Sequence, residues 1–191
     1  MNPDYCINIE KKIRIALSGA SGCGNTTVST LLSHRLGIPC INYTFRNLAK
    51  ELNMPLKEVI EQAKTDFRFD RLIDERQVER ALKSSCVLGS RLAIWLLKEA
   101  DLKVYLYASE EVRAQRIFKR EGGNLDSIRN FTAMRDRDDT RRYKELYNID
   151  NNDYVVADMC IDKEHYEPDL IVELILDELL RRSLIRPKEI V

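Results

Sequence analysis

The sequence predicts a doubly wound α/β fold, in which a five-stranded parallel sheet carries helices on both faces. Short apolar runs alternate with longer stretches of helical periodicity, and the first apolar run opens into a glycine-rich loop. The 191 residues, of which 44% are hydrophobic, are enough for one sizeable core. Strands separated by helices pair in parallel through right-handed crossovers, so we expect ligands at the carboxyl ends of the strands.

In the first half of the chain, glycine, proline and threonine mark where the predicted elements begin and end. Gly37 and Pro39 end the helix that follows the glycine-rich loop. Thr44 is a suitable N-cap for the next helix, and Pro55 starts another. The predicted elements of this half are strands 12–18 and 38–42 and helices 25–36, 45–52, 56–63 and 69–82. Residues 1–11 are predicted to be a polar N-terminal segment without regular secondary structure.

In the second half, apolar runs again alternate with helical periodicity. Residues 86–88 are typical of a buried strand that Gly89 and Ser90 stop, and Trp95 lies in a short, largely buried helix. Two consecutive glycines at 122–123 separate two charged helices, and the last helix carries leucine and isoleucine at helical spacing. The predicted elements of this half are strands 86–88, 102–108 and 154–161 and helices 91–100, 110–121, 125–147 and 168–184.

The loop after the first strand has the spacing of a phosphate-binding P-loop, with Gly19, four residues, Gly24, one residue and then Thr26. Glycines allow backbone N–H groups to curl around an anion, and the N-terminus of the next helix adds about half a positive charge. A turn that uses glycine only to join strand to helix is the alternative. We predict that ATP phosphates bind at Gly19, Ala20, Ser21, Gly22, Cys23, Gly24, Asn25, Thr26 and Thr27. Thr26 is the predicted hydroxyl ligand of Mg²⁺.

One position departs from the P-loop pattern. The pattern calls for lysine at position 25, where its mobile charge reaches the β- and γ-phosphates. The chain has Asn25, which is neutral and has a shorter reach. Nucleotide binding is therefore predicted from the loop alone, whereas catalysis needs further evidence.

Composition limits the classes of partner. The 31 basic and 31 acidic residues cancel, so the net charge favours neither nucleic acid nor a membrane surface as a partner. Two histidines make a histidine-based metal site improbable, and no apolar run approaches the length of a membrane span. The cysteines are scattered without a CxxC spacing, which suits a reducing cytosol; they are Cys6, Cys23, Cys40, Cys86 and Cys160. We expect a soluble, cytoplasmic protein, monomeric or dimeric.

Arginine is concentrated in the two helices around residues 122–123. The set is Arg113, Arg116, Arg120, Arg129, Arg135, Arg137, Arg141 and Arg142. Any single member can be explained as part of a solvated helix face. Together they are typical of a lid, because catalysis of phosphoryl transfer consists mostly of positioning and positive charge around the moving group.

Several separated segments resemble nucleoside-monophosphate kinases, and specifically the compact, archaeal-type cytidylate kinases. The segments span about residues 13–176 and are SGASGCGNTT, FRNLAKELNMPLKEV, FDRLIDERQVERA, VLGSRLAIWLLKEADLKVYL, EVRAQRIFKREG and RRYKELYNID. The resemblance implies transfer of the γ-phosphoryl group of ATP to CMP or dCMP with Mg²⁺. It also implies one domain over 1–191, with a core at about 12–42, 85–112 and 154–184, an acceptor-binding arm at about 43–84 and a lid at about 113–147.

The same resemblance implies roles for individual side chains. Arg46 and Arg91 would hold the acceptor phosphate, while Asp70 and Arg71 lie where the arm helix faces the pyrimidine. The lid pattern that gathers phosphates and base corresponds to Arg135, Asp139 and Arg142, and Arg120 would approach ATP. The catalytic arginines implied in this way are Arg91, Arg120, Arg135 and Arg142.

The chain also departs from the family pattern. The family has an acid followed by glycine before the arginine that corresponds to Arg91, and that acid helps to hold Mg²⁺. Here Gly89 and Ser90 stand in those places. Loss of one charge-stabilising group from such a site costs about 10²–10³-fold in rate. Two alternatives follow: a nucleotide-binding protein of the same fold without efficient transfer, or a kinase for another small acceptor, because residues 42–44 differ from the family pattern.

Overall fold

The computed structural model describes residues 5–7 and 12–188 of the chain. The strands are β1 (Tyr5–Ile7), β2 (Arg14–Gly19), β3 (Cys40–Ile41), β4 (Cys86–Gly89), β5 (Leu102–Tyr107), β6 (Met159–Asp162) and β7 (Ile185–Pro187). The helices are α1 (Asn25–Leu36), α2 (Phe45–Glu51), α3 (Leu56–Ala63), α4 (Arg68–Lys83), α5 (Ala93–Leu96), α6 (Glu110–Glu121), α7 (Leu125–Tyr147) and α8 (Pro168–Arg181). Most helix bounds agree with the periodicity of the sequence.

The main sheet confirms the predicted fold class. Its five strands are all parallel and lie in the order β3-β4-β2-β5-β6. Alternate residues of β2 face two separate apolar clusters, as the two-residue period of a strand requires. Ile15 and Leu17 pack with α1 and α8, whereas Ala16 packs with α4 and α5. Helices therefore cover both faces of the sheet, and its carboxyl edge is left to form a site.

A third apolar cluster holds α2, α3 and α4 together. It is built on the fully buried Val59 and on Tyr43, Leu48, Ala49 and Ile73. Tyr43 is also fixed by polar contacts, because its hydroxyl donates to Glu51 Oε2 at 2.6 Å and its carbonyl accepts from Gln77 Nε2 at 2.9 Å. Residues 43–83 thus carry a small core of their own beside the sheet.

The structure corrects two predicted elements between β4 and α8. The last parallel strand begins at Met159 instead of residue 154, because residues 154–157 form a turn in which Ala157 N–H donates to Tyr154 O at 2.9 Å. The ring of Tyr154 stacks on Tyr105 with centroids 4.3 Å apart, which holds the chain in that turn. The helix predicted over 91–100 shortens to α5.

The chain ends differ most from prediction. The terminal helix stops at residue 181, because Ser183 has a left-handed φ of 56° and β7 follows. Within the N-terminal segment predicted to lack regular structure, residues 5–7 form β1, which pairs antiparallel with β7. The remainder of that prediction, 1–4 and 8–11, lies outside the described residues. None of the helices within 5–7 and 12–188 is long and apolar enough to cross a membrane.

Candidate active site

A cleft of about 520 Å³ opens at the carboxyl ends of β2 and β4. The glycine-rich loop forms its floor, and residues 42–45, 70–77 and 89–92 form one side. Side chains of α6 and α7 reach it from the other side. The predicted site residues on its walls are Ala20, Ser21, Gly22, Gly24, Asn25, Thr26, Thr27, Asp70, Arg91, Arg120, Arg135, Asp139 and Arg142. Residues separated by more than a hundred positions in sequence therefore share one cleft.

The floor of the cleft has the backbone geometry of an anion site. Gly24 is the N-cap of α1 with a left-handed φ of 85°, a conformation that a side chain would strain. No side chain caps α1, and its first turn carries no acidic residue. The first N–H groups of the helix are thus free to bind an anion, and the helix dipole favours it. Thr26 and Thr27 are exposed at this helix end and line the cleft.

Asn25 is tied to the loop itself. Its Nδ2 donates to the carbonyl of Gly19 at 2.6 Å. Its Oδ1 is buried, and no donor in the described part of the chain bonds to it. The side chain therefore links the two ends of the loop through a hydrogen bond, and it does not replace the mobile cation of a lysine.

A chain of arginines and carboxylates crosses the cleft. Arg142 donates to Asp70 Oδ1 at 2.8 Å and to Asp139 Oδ1 at 2.7 Å. Arg91 Nη1 forms an ion pair with the other oxygen of Asp139, whose side chain is only 5% exposed. These contacts join α4, α7 and the turn that follows β4. Burial lowers the pKa of Arg91, with Arg135 and Arg142 contributing, so the guanidinium lies where a further anion is favoured.

Other predicted residues lie at the rim or outside the cleft. Arg120 and Arg135 are exposed on its wall, and Arg120 pairs with Glu121 at 2.5 Å. Arg46 and Arg71 lie on exposed surfaces outside the cleft walls. In α4 the cleft face follows positions 70, 73, 74 and 77, so a side chain at 71 points about 100° away.

Two loop residues that were predicted to contact ATP face a second cavity and do not line the cleft. Gly19 and Cys23 line a second cavity of about 200 Å³, which also reaches Arg91 and Asp139. Burial raises the pKa of the Cys23 thiol to about 11, so this thiol is not activated by the nearby helix end.

Position 89 has no room for a side chain. A Cβ atom on Gly89 would lie 2.3 Å from Ser29 Oγ and 2.9 Å from Ser29 Cβ, and Ser29 is fully buried in α1. Because α1 packs so closely on β4, position 89 cannot hold the acidic side chain that the family pattern has there. Within 5–7 and 12–188, no group of three or more His, Cys, Asp or Glu side chains is placed to hold a metal. A Mg²⁺ ion here would depend on the hydroxyl of Thr26, as in the P-loop pattern, and on substrate phosphates.

Two contacts of the site were not predicted. Arg113 donates to the carbonyls of Ser21 at 3.0 Å and Ala108 at 3.2 Å, and it pairs with Asp136 at 2.7 Å. The sequence shows Arg113 only as one of eight arginines, and nothing in its spacing marks it as the residue that ties the loop to α7. Asp74 on the cleft wall accepts from Tyr147 at 2.8 Å, and burial raises its pKa to about 6.

Comparison with known proteins agrees with this geometry. The sequence model of the cytidylate kinase-like family matches residues 14–165. Cytidylate kinase 2 of Borreliella burgdorferi is 46% identical over 176 residues, which cover 90% of this chain and 98% of that protein. Cytidylate kinase of Archaeoglobus fulgidus is 38% identical over 167 residues, with coverage of 86% and 93%. The predicted resemblance to cytidylate kinases is confirmed.

A solved structure supports the fold alone. Shikimate kinase from Bacteroides thetaiotaomicron aligns with a TM-score of 0.60 at 17% identity, and the alignment covers 90% of this chain and 99% of that one.

Proposed function

This chain belongs to the cytidylate kinase-like family, and from that premise we propose that it transfers the γ-phosphoryl group of ATP to CMP or dCMP. One observation carries the proposal. The uncapped N-terminus of α1 at Gly24 and the guanidinium groups of Arg91 and Arg142, which both bond to Asp139, face the same cleft. Two phosphate sites that face each other are what a reaction between two nucleotides requires.

The donor binds on the floor of the cleft. The phosphates of ATP lie against residues 19–27, held by backbone N–H groups and by the N-terminus of α1. Thr26 is exposed in the cleft, and its hydroxyl would hold Mg²⁺ together with the phosphates. When bound, this ion neutralises charge on the phosphoryl oxygens.

The acceptor binds on the opposite wall. Arg91 and Arg142 contact the phosphate of CMP, Arg91 through two parallel N–H bonds, and Asp70 faces the pyrimidine end. A phosphate oxygen of CMP attacks the γ-phosphorus as the bond to ADP breaks, and positive charge around the three equatorial oxygens stabilises the transition state. Asp139 holds both arginines in position before the acceptor binds.

We further propose that residues 43–84 act as the acceptor arm and 113–147 as the lid. Arg120 and Arg135 lie exposed on the cleft rim, so movement of the lid can bring them onto the phosphates and exclude water. Arg46 and Arg71 reach the acceptor only if the arm moves toward the cleft. A cytosolic location is consistent with five free thiols.

Formation of ADP from ATP in the presence of CMP, dCMP, UMP or AMP tests the proposal. We expect kcat/KM to be highest for CMP and dCMP. If calorimetry shows that ADP and CMP bind but none of the four acceptors is phosphorylated, a nucleotide-binding role replaces the enzymatic one. Preference for another acceptor would retain the reaction but overturn the substrate.

A further inference from the structure

A buried lysine lies just beyond the last parallel strand. Lys163 follows β6 at the carboxyl edge of the sheet and is only 5% exposed. Its backbone N–H donates to Tyr107 O at 2.8 Å, and its carbonyl accepts from Arg116 Nη2 at 2.5 Å. Its ammonium group donates to Tyr166 O at 2.7 Å. Both ends of this residue are therefore held in a defined position.

The side chain of Lys163 reaches the phosphate-binding loop. Its Cε lies 3.5 Å from the place that a Cβ on Gly24 would occupy. Gly24 is the N-cap of α1 and directly precedes Asn25, where the P-loop pattern calls for lysine. The stem of Lys163 thus packs beside Gly24 from the β6 side, which brings its charge close to the position that lacks a cation, while the nitrogen itself donates to Tyr166 O.

The surroundings of this ammonium group disfavour its charged form. No carboxylate within 5–7 and 12–188 lies within 4 Å of its nitrogen as an ion-pair partner. The positive end of α1 and Arg116 lie nearby. Burial first, and then Arg116, lower the pKa of Lys163, and Glu167 offsets this only in part. A buried cation without a paired charge reduces stability, and a bound polyphosphate would supply the missing anion.

We infer that Lys163 supplies the donor-phosphate site with the positive charge that Asn25 does not provide. This inference rests on the proposed function, because it assumes that a nucleoside di- or triphosphate occupies the loop. Lys163 is a positioning residue that acts through its charge beside Gly24. Because it is fixed before the reaction, it favours ATP and ADP alike, and its loss should raise KM for ATP more than it lowers kcat.

Calorimetric titration with ADP and with Mg-ATP tests the inference on the full chain. Lys163→Met keeps an unbranched apolar stem, and Lys163→Gln keeps a hydrogen-bond donor without the charge. We expect both variants to bind ADP and Mg-ATP about tenfold more weakly, with CMP affinity unchanged. Lys98→Met, which removes an exposed lysine between α5 and β5, outside the arm, the lid and the cleft walls, is the matched control and should bind ADP as the parent does.

A second substitution separates charge from packing. Asn25→Lys restores the cation at the pattern position, so Asn25→Lys with Lys163→Met should recover most of the lost ADP affinity. If Lys163→Gln binds ADP as tightly as the parent, the side chain serves only as a structural hydrogen bond and the inference is overturned. Failure of the double variant to recover affinity, in a protein with a normal melting temperature, overturns it as well.

The two proposals fail in different ways. A parent chain that binds ADP in a Lys163-dependent manner but phosphorylates no acceptor contradicts the proposed function and supports the inference. A parent chain that phosphorylates CMP, with ADP affinity unaffected by Lys163→Gln and Lys163→Met, supports the function and contradicts the inference.

Discussion

Substituting Gly89 by alanine should destabilise the protein through contact with one side chain. The added Cβ would lie 2.3 Å from Ser29 Oγ, whereas ordinary contacts of a Cβ begin at 3.4 Å. Rotating the hydroxyl away does not solve the clash, because Ser29 Cβ would still be 2.9 Å distant. Ser29 is fully buried and Gly89 is buried against it, so the α1 helix and the β4 strand must separate slightly.

The size of the effect follows from this overlap. Overpacking of a buried site costs about 1–3 kcal/mol in the free energy of unfolding. With an m-value of about 2 kcal/mol per M, Gly89→Ala should lower the urea midpoint by about 0.5–1.5 M. Ser29→Gly removes both clashing atoms, at a cost of about 0.5–1 kcal/mol for glycine in a helix. In that background Gly89→Ala should cost little more.

Urea denaturation of the parent, both single variants and the double variant forms a double-mutant cycle. We expect a coupling free energy of about 1–3 kcal/mol, since nearly the whole cost of Gly89→Ala should disappear in the Ser29→Gly background. A Gly89→Ala protein as stable as the parent, or fully additive effects in the double variant, would refute the steric reasoning. In the confirming case, Gly89→Glu can restore the family acid only when Ser29 is also replaced by glycine.

Three further predictions concern the cleft. Arg91→Lys should raise KM for CMP by about tenfold or more and change KM for ATP less than about twofold, since lysine cannot grip a phosphate through two parallel bonds; equal shifts in steady-state kinetics would contradict this. Arg135→Ala should lower kcat by about tenfold or more, while Arg137→Ala, an exposed control on α7 outside the cleft walls, should not. A rise in KM for ATP with kcat unchanged would show instead that Arg135 contributes to ground-state binding. Asp74 has a pKa raised from 3.8 to about 6 in the folded state, so the folded protein holds a proton that the unfolded chain releases, and stability falls as pH rises through about 4 to 6. Asp74→Asn should therefore raise the free energy of unfolding by up to about 3 kcal/mol at pH 8 and by almost nothing at pH 3.5, and equal gains in urea denaturation at both pH values would rule out this origin.

The parts of the fold with strong local signals could be predicted from the sequence. The strand before the glycine loop, the helix after it and the pair of helices around residues 122–123 depend on periodicity and breakers, and the structure places them within a residue or two of prediction. Val155 and Val156 show where such signals fail. They extend an apolar run that is typical of a strand, yet both are exposed, because stacking of Tyr154 on Tyr105 holds this segment in a turn.

The site could be predicted only in part for the same physical reason. The glycine spacing of the loop is a local pattern, so the sequence predicts that its backbone binds phosphate. The approach of Asp70, Arg91 and Arg142 depends on packing between distant elements, and only resemblance to a family indicated it. Lack of space at Gly89 depends on where one buried serine of α1 points, and no residue pattern encodes that.

The most direct test of the account follows the phosphoryl group itself. ATP labelled at the γ-phosphate is incubated with CMP, Mg²⁺ and the protein, and the nucleotides are separated. We predict label in the β-phosphate of CDP and an equal amount of unlabelled ADP. Absence of labelled CDP, from a protein that binds both ADP and CMP in the same buffer, would contradict the proposed kinase activity.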